Sequence, residues 1–119
     1  MPLEFVRTAI TRPALAAAAA LQFGDMIKAV VDVRRGILVI GGELHSDEEA
    51  ALLEDGSRQE DLWGLNLYPA ETGEDWLEFD SMINVRPSQG NRSRGVEDER
   101  LRASIRRIVD ELVAPEPRP

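Results

Sequence analysis

The sequence predicts an α+β protein with a four-stranded antiparallel sheet, element order α-β-β-α-β-β-α, and helices mainly on one face. Four segments are apolar or alternate like strands, three have helical spacing, and short links join the strands in two pairs. A chain of 119 residues is the usual length of one domain. We expect that domain at 1–114 and a disordered, proline-rich tail at 115–119.

The first predicted element is a helix from about Arg12 to Phe23. Its alanine-rich sequence has high helix propensity. Thr11 suits the N-cap and Pro13 the first turn, where a missing N–H costs nothing. Gly24 is expected to end the helix. Residues 3–6 precede it as a short edge strand or a packed arm.

Two strands joined by a tight turn follow. Met26–Val33 alternates between apolar and polar residues, and Gly36 can provide the positive φ that a hairpin turn needs. Ile37–Ile40 is apolar on both faces, which is typical of an interior strand covered on both sides. Ser46 and Glu49 then fit a capping box that starts a helix ending near Glu54.

The second half repeats the order of strand, strand and helix. Asp61–Tyr68 and Trp76–Val85 both alternate, and Trp76–Val85 is the longest alternation in the chain. Asp98 suits the N-cap of a final helix with apolar residues at helical spacing. The sheet face opposite the core is expected to be wet or an interface. It would carry Lys28, Asp32, Asn66, Tyr68, Glu78, Asp80 and Asn84.

Composition narrows the range of functions. The net charge of −8 makes duplex nucleic acid an unlikely partner, because that binding relies on many cations neutralising phosphates. There is no cysteine, so thiolate metal sites are excluded, and a reducing cytoplasm fits. No segment is long and apolar enough to predict a membrane span. No motif predicts a cofactor.

The segment 84–98 is the leading candidate site, because it places arginines in a polar loop just before a helix. Helix N-termini and guanidinium groups both suit phosphate or carboxylate. The predicted ligand-binding residues are Arg86, Gln89, Asn91, Arg92 and Arg94, completed by Asn66, Glu78 and Asp80 on the adjoining sheet face. The alternative interpretation pairs these arginines with the acid-rich segment 43–61 or with a partner subunit.

Two other function classes stay open. A metal-assisted hydrolase or phosphoryl-transfer enzyme would use Glu43, His45, Asp47, Glu78 and Asp80, because imidazole and carboxylates can hold a divalent ion or transfer protons. The spacing of these residues matches no established metal motif. A structural or regulatory interaction module, whose loop pairs with another chain, is the third class. For the anion-binding module we expect a homodimer.

Three stretches together resemble a known family. They are GGELHSDEEA, LLEDGSRQEDLWGLNLYP and EFDSMINVRPSQGNRSRGVED. The pattern is similar to a family of short bacterial and archaeal proteins described as a domain of unknown function, over about Val30 to Val113. The resemblance implies a free-standing small domain and carries no activity, cofactor or catalytic residue.

Overall fold

The computed structural model describes residues 3–115. Three helices form, namely α1 (Arg12–Ala20), α2 (His45–Glu54) and α3 (Glu99–Leu112). The strands are β1 (Glu4–Val6), β2 (Ile10–Thr11), β3 (Ile27–Asp32), β4 (Ile37–Ile40), β5 (Leu62–Leu67), β6 (Leu77–Glu78) and β7 (Val113–Ala114). Apart from its first residue, the predicted disordered tail lies outside the described residues.

The main sheet has five strands in the order β1-β4-β3-β5-β6, and every pairing in it is antiparallel. The predicted α+β class and antiparallel sheet are therefore confirmed. The predicted number of four strands is wrong, because the N-terminal residues 4–6 pair with β4 and add an edge strand. A second small sheet pairs β2 with β7 in parallel.

The last strand of the sheet is much shorter than predicted. Only Leu77–Glu78 of the predicted strand Trp76–Val85 pairs with β5. Beyond it, the side-chain amide of Asn84 accepts from the Gly64 N–H (2.8 Å) and donates to the Gly64 carbonyl (3.0 Å). An amide side chain thus satisfies β5 where a backbone strand was expected.

Helices cover both faces of the sheet. The larger core joins α1 and α3 to one face, through residues such as Leu15, Leu38 and Ile105. A smaller cluster on the other face contains Val30 and Leu52, so α2 packs there. The prediction that this face is wet or an interface is wrong beneath α2, although two of the three helices do share the opposite face.

Two of the three predicted helix caps are correct. The Thr11 hydroxyl accepts from the Ala14 N–H at 3.1 Å, and Asp98 accepts from the Arg100 N–H at 2.8 Å. The capping box at Ser46 is wrong. Helix α2 begins two residues earlier than predicted, and its N-cap, Leu44, provides no side-chain hydrogen bond. Ser46 is therefore not used as a cap.

No helix within residues 3–115 combines the length and the apolar character needed to cross a membrane.

Candidate anion-binding pocket

Arg86, the first arginine of the predicted loop site, is bound to the protein itself. Its guanidinium donates to the carbonyls of Gln59 (2.5 Å) and Leu62, and its Nε donates to Ile83 (3.1 Å). The same group lies 4.1 Å from the ring centre of Trp63. Burial lowers the pKa of Arg86. This side chain fastens the loop to the start of β5 and has little capacity left for a ligand.

The amides of the loop are also used internally. Asn91 is buried, and its Nδ2 donates to the carbonyls of Asn84 (2.7 Å) and Gly95 (2.8 Å). Its Oδ1 accepts from the Glu97 N–H at 2.9 Å. Gln89 is exposed and donates to the Glu60 carbonyl at 3.2 Å. Asn91 therefore shapes the loop from within.

The loop's own backbone already binds an anion, and that anion is Glu97. Its Oε2 accepts from the N–H groups of Arg92 (2.6 Å) and Ser93 (2.9 Å). These two hydrogen bonds are the main reason that the pKa of Glu97 is lowered. The Arg92 side chain is exposed. Two backbone donors of the loop are thus occupied by Glu97. The N–H groups of Arg100 and Leu101, at the helix start where an anion was expected, donate to Asp98.

Arg94 leaves the loop in another direction. Its Nε donates to Asp80 Oδ1 at 2.5 Å, and both side chains are about half exposed. The acid in this salt bridge, Asp80, lies outside the segment 43–61 that the alternative interpretation paired with the arginines. Arg94 also lines a cavity with residues from other elements.

The predicted sheet-face residues lie beside that cavity. The strand register places Lys28 opposite Asn66 and Asn66 opposite Glu78. The Asn66 amide donates to Glu78 Oε1 at 2.8 Å. Its Oδ1 is buried and has no hydrogen-bond partner among the described residues. Asn66 and Glu78 are bonded to each other, and neither of them lines the cavity beside Arg94.

We call the cavity beside Arg94 the helix-start pocket, because it lies at the first residues of α2. Its volume is about 180 Å³. The lining residues come from β3, from the start of α2 and from the segment after β6. They are Lys28, Leu44, His45, Ser46, Ser81, Met82, Ile83 and Arg94.

His45 is the most constrained polar group of the pocket. It is only 9% exposed, and its Nε2 lies 2.7 Å from the Leu65 carbonyl. A carbonyl can only accept, so Nε2 carries the hydrogen and Nδ1 has a free lone pair in the neutral ring. Among residues 3–115, Nδ1 has no hydrogen-bond partner, and it is not enclosed. Nδ1 is therefore the nitrogen that can contact a bound group.

The charge state of His45 follows from its surroundings. Burial has the largest effect and lowers the pKa of the imidazole, and the cations Lys28 and Arg94 lower it further. The Leu65 carbonyl and Asp80 act in the opposite direction. The net result is a lowered pKa, so the ring is neutral at pH 7 and presents an acceptor next to two cations.

These cations are not equally compensated. Arg94 is paired with Asp80, whereas no carboxylate within residues 3–115 lies at salt-bridge distance from Lys28. The Lys28 ammonium lies 5.3 Å from the ring centre of Phe23. Lys28 is the only lysine of the chain. It provides the pocket with a positive charge that the described part of the protein leaves unneutralised.

The start of α2 adds backbone donors. No side chain caps α2, and the N–H groups of Asp47 and Glu48 donate to the Leu44 carbonyl at 3.1 and 3.5 Å. The N–H groups of His45 and Ser46, at the first two helical positions, have no partner within the helix. Its first turn contains two acids, Asp47 and Glu48. Glu48 turns inward, where its Oε2 accepts from the Gly42 N–H (3.0 Å), and burial raises its pKa to about 9. Glu48 is thus neutral at pH 7, and only Asp47 opposes an anion here.

Comparison with known proteins identifies the family. A family model described as "Protein of unknown function (DUF5674)" matches residues 4–112. The chain belongs to the DUF5674 family. The family resemblance predicted from sequence is confirmed, and the match extends further than the expected Val30 to Val113, since it includes α1. No curated protein and no solved structure matches this DUF5674 chain.

The residues considered for a metal-assisted enzyme are not gathered into one cluster in the described part of this DUF5674 protein. Within residues 3–115, no group of three or more histidine, aspartate or glutamate side chains is arranged to hold a metal ion. Of the residues considered for a metal-assisted enzyme, Glu78 is bonded to Asn66 and Asp80 to Arg94. His45 is directed to a backbone carbonyl.

The helix-start pocket of this DUF5674 protein contains residues that were not assigned to a site from the sequence. Lys28 was expected on a wet sheet face, and Ser46 was interpreted as a helix cap. Ser81 was expected within the predicted strand Trp76–Val85. In the structure it is buried, and its hydroxyl accepts from the Ile83 N–H at 3.2 Å. One signal was present in the sequence, namely a lone lysine on a strand of an acidic chain.

Proposed function

We propose that this DUF5674 protein is a binding module for a small anion that bears a phosphate or carboxylate group. The site is the helix-start pocket, which moves the predicted anion site from the loop 84–98 to the cavity beside Arg94. The observation that carries the proposal is the convergence of Lys28, an unpartnered His45 Nδ1 and an uncapped helix start on one cavity.

The pocket chemistry supports an anion with an adjoining hydrogen-bond donor. Lys28 and Arg94 supply positive charge, and the start of helix α2, whose first two residues line the pocket, adds the partial positive charge of a helix N-terminus. The neutral imidazole accepts a hydrogen bond from the ligand, as in a protonated phosphate or a hydroxy acid. Asp80 reduces the contribution of Arg94, so Lys28 contributes most of the attraction.

The single histidine of the chain makes a direct test available. A bound anion stabilises the charged imidazolium, so it raises the pKa of His45 from its lowered value. We expect inorganic phosphate to produce this increase, measured by an NMR pH titration of the one imidazole signal with and without phosphate. Lys28→Met should weaken phosphate binding about ten-fold or more, since it removes a charge close to the anion.

Arg92→Met is the matched control. It removes the same charge from an exposed side chain that does not line the pocket. We expect it to leave phosphate binding within about two-fold. Equal weakening by Lys28→Met and Arg92→Met would indicate non-specific electrostatic attraction. No change in the His45 titration at any phosphate concentration would contradict the proposal.

Cytoplasmic location and a homodimer stay predictions from the sequence. The absence of cysteine supports the first. Light scattering on the purified chain measures the second, and a mass of one chain at micromolar concentration would contradict it.

A further inference from the structure

A second cavity adjoins the helix-start pocket. We call it the apolar groove, and it is lined by Leu21, Gln22, Phe23, Glu43 and Leu44. Its volume is about 400 Å³, which is in the range of small-molecule sites. Glu43 is its only charged residue. The Gln22 side chain donates to the Gly41 carbonyl at 2.9 Å, so it is held by the protein.

The apolar side chains of this groove are unusually accessible. Leu21 is 76% exposed, Leu44 is 54% exposed and Phe23 is 42% exposed. Single exposed apolar residues are ordinary, but a group of them around one concavity indicates a binding surface. Covering them would bury apolar area at a favourable free energy.

Two residues connect the groove to the helix-start pocket. Leu44 lines both cavities. Lys28 lines the pocket, and its ammonium lies 5.3 Å from the centre of the Phe23 ring, which lines the groove. A cation over an aromatic face is held in place by the ring. The positive charge is therefore at the junction between an apolar surface and a polar one.

We infer that the groove binds the apolar part of the same small molecule whose anionic group lies in the helix-start pocket. The ligand class is thus an amphiphilic anion, a phosphate or carboxylate attached to an alkyl chain or a ring. This inference rests on the proposed function. Charge complementarity supports placing the anionic end at the junction, because no carboxylate within residues 3–115 forms a salt bridge with Lys28. Glu43 in the groove lining disfavours an anionic group there, so the groove suits the uncharged part of the ligand. The concave groove suits a free small molecule better than a flat protein partner.

The test is a series of alkyl phosphates with one head group and growing chains, namely methyl, butyl and hexyl phosphate. Each added methylene that is buried should tighten binding about two- to four-fold, so hexyl phosphate should bind at least ten-fold more tightly than methyl phosphate. Titration calorimetry on the intact protein measures the dissociation constants. The His45 NMR signal reports in parallel whether the head group reaches the pocket.

Leu21→Ser, which changes a residue of the groove that does not line the helix-start pocket, should flatten the dependence on chain length while methyl phosphate still changes the His45 titration. Leu53→Ser is the matched control, because Leu53 is 41% exposed on α2 and lines neither cavity. It should leave the dependence unchanged. Equal binding of all three phosphates would overturn the inference and leave the proposed function intact.

Other outcomes are also decisive. If no phosphate binds and His45 does not respond, the proposed function fails, and the inference fails with it. Undiminished hexyl phosphate binding in Lys28→Met would show that the head group is not in the pocket, which overturns the inference. A loss of self-association in Leu21→Ser, with the dependence on chain length unchanged, would assign the groove to contacts between copies of the chain.

Discussion

Glu48 shows how a single side chain takes its properties from its environment. It is fully buried, and its Oε2 accepts from the Gly42 N–H at 3.0 Å. Its Oε1 has no hydrogen-bond partner among the described residues. Burial is the main cause that raises its pKa to about 9, against a weaker lowering by Gly42 and Lys28. The folded protein therefore holds a protonated carboxyl group that the unfolded chain would ionise near pH 4.5.

This difference predicts a pH dependence of stability. The stabilisation linked to the Glu48 proton is complete below about pH 4.5 and is lost as the pH rises toward about 9. In that window the free energy of unfolding should fall by up to about 1.4 kcal/mol per pH unit from this group. Glu48→Gln removes the titration and keeps an acceptor for Gly42. We expect it to be more stable than the wild type at pH 8, measured by urea unfolding from pH 5 to 9.

Other groups titrate as well, so the comparison needs a control. Glu54→Gln changes an exposed residue of the same helix and should follow the wild-type pH profile. If the difference between wild type and Glu48→Gln were constant from pH 5 to 9, the buried carboxyl would not be protonated as described.

The sequence pattern could not predict that Glu48 is buried. Glu48 sits among four consecutive polar residues, 46–49, which is typical of a solvated helix start. Its burial results from Gly42, where an added Cβ would lie 2.6 Å from Glu48 Cγ. Close approach of two backbone segments is a tertiary property. For the same reason, His45 was an ambiguous single histidine until its contact with the Leu65 carbonyl was visible.

At the scale of elements, the first half of β5, on the side away from β3, is the most informative departure from expectation. Gly64 lies in mid-strand, and a Cβ there would lie 2.5 Å from Ser81 Cβ. The chain after β6 therefore crosses tightly over Gly64 instead of continuing as a ladder strand. Alternation over 76–85 was real, but alternation reports which side chains face a core and does not require backbone pairing.

Asn84 should be a main stabiliser of this crossing. Asn84→Ala would leave the buried N–H and carbonyl of Gly64 without their partners, since both bond to the Asn84 amide. Unsatisfied buried groups cost about 1–3 kcal/mol each, so we expect a loss of about 2–5 kcal/mol in the free energy of unfolding. Chemical denaturation measures it.

The control for this prediction is Gln89→Ala, an exposed position of the same loop that should change stability by less than about 0.5 kcal/mol. If Asn84→Ala proved as mild as Gln89→Ala, water would be replacing the amide, and Asn84 would not substitute for a strand.

The elements that sequence predicted well are those with local causes. Thr11 and Asp98 cap their helices through side-chain oxygens, as expected from residue type alone. The β3–β4 turn also has a local cause. Asp32 Oδ1 accepts from the N–H groups of Arg34 and Arg35 at 2.9 Å. The elements predicted poorly, β1 and β6, depend on partners far along the chain.

At the scale of the whole molecule, the candidate site joins segments that are distant in sequence. The helix-start pocket takes Lys28 from β3, His45 from α2 and Arg94 from the loop before α3. The sequence identified Arg94 as a site residue, but it grouped it with its neighbours in the loop. The arginine cluster divides in the fold, because Arg86 is bound to backbone carbonyls and only Arg94 lines the pocket.

The layered fold predicts where its stability is highest. Strand β3 pairs with β4 and β5 and is covered on both faces, so its amides should exchange with solvent only when the whole protein unfolds. Strand β6 makes only two ladder pairs at the sheet edge, and its amides should exchange through local opening at a lower free energy. Hydrogen exchange followed by NMR at several denaturant concentrations separates the two mechanisms. Equal protection of β3 and β6 would contradict this order.

The expected order has a consequence for binding. It places Lys28 on the most rigid strand and Arg94 in the segment after β6, which is expected to open more readily. A bound anion that contacts both Lys28 and Arg94 should therefore slow amide exchange more in the segment around Arg94 than in β3.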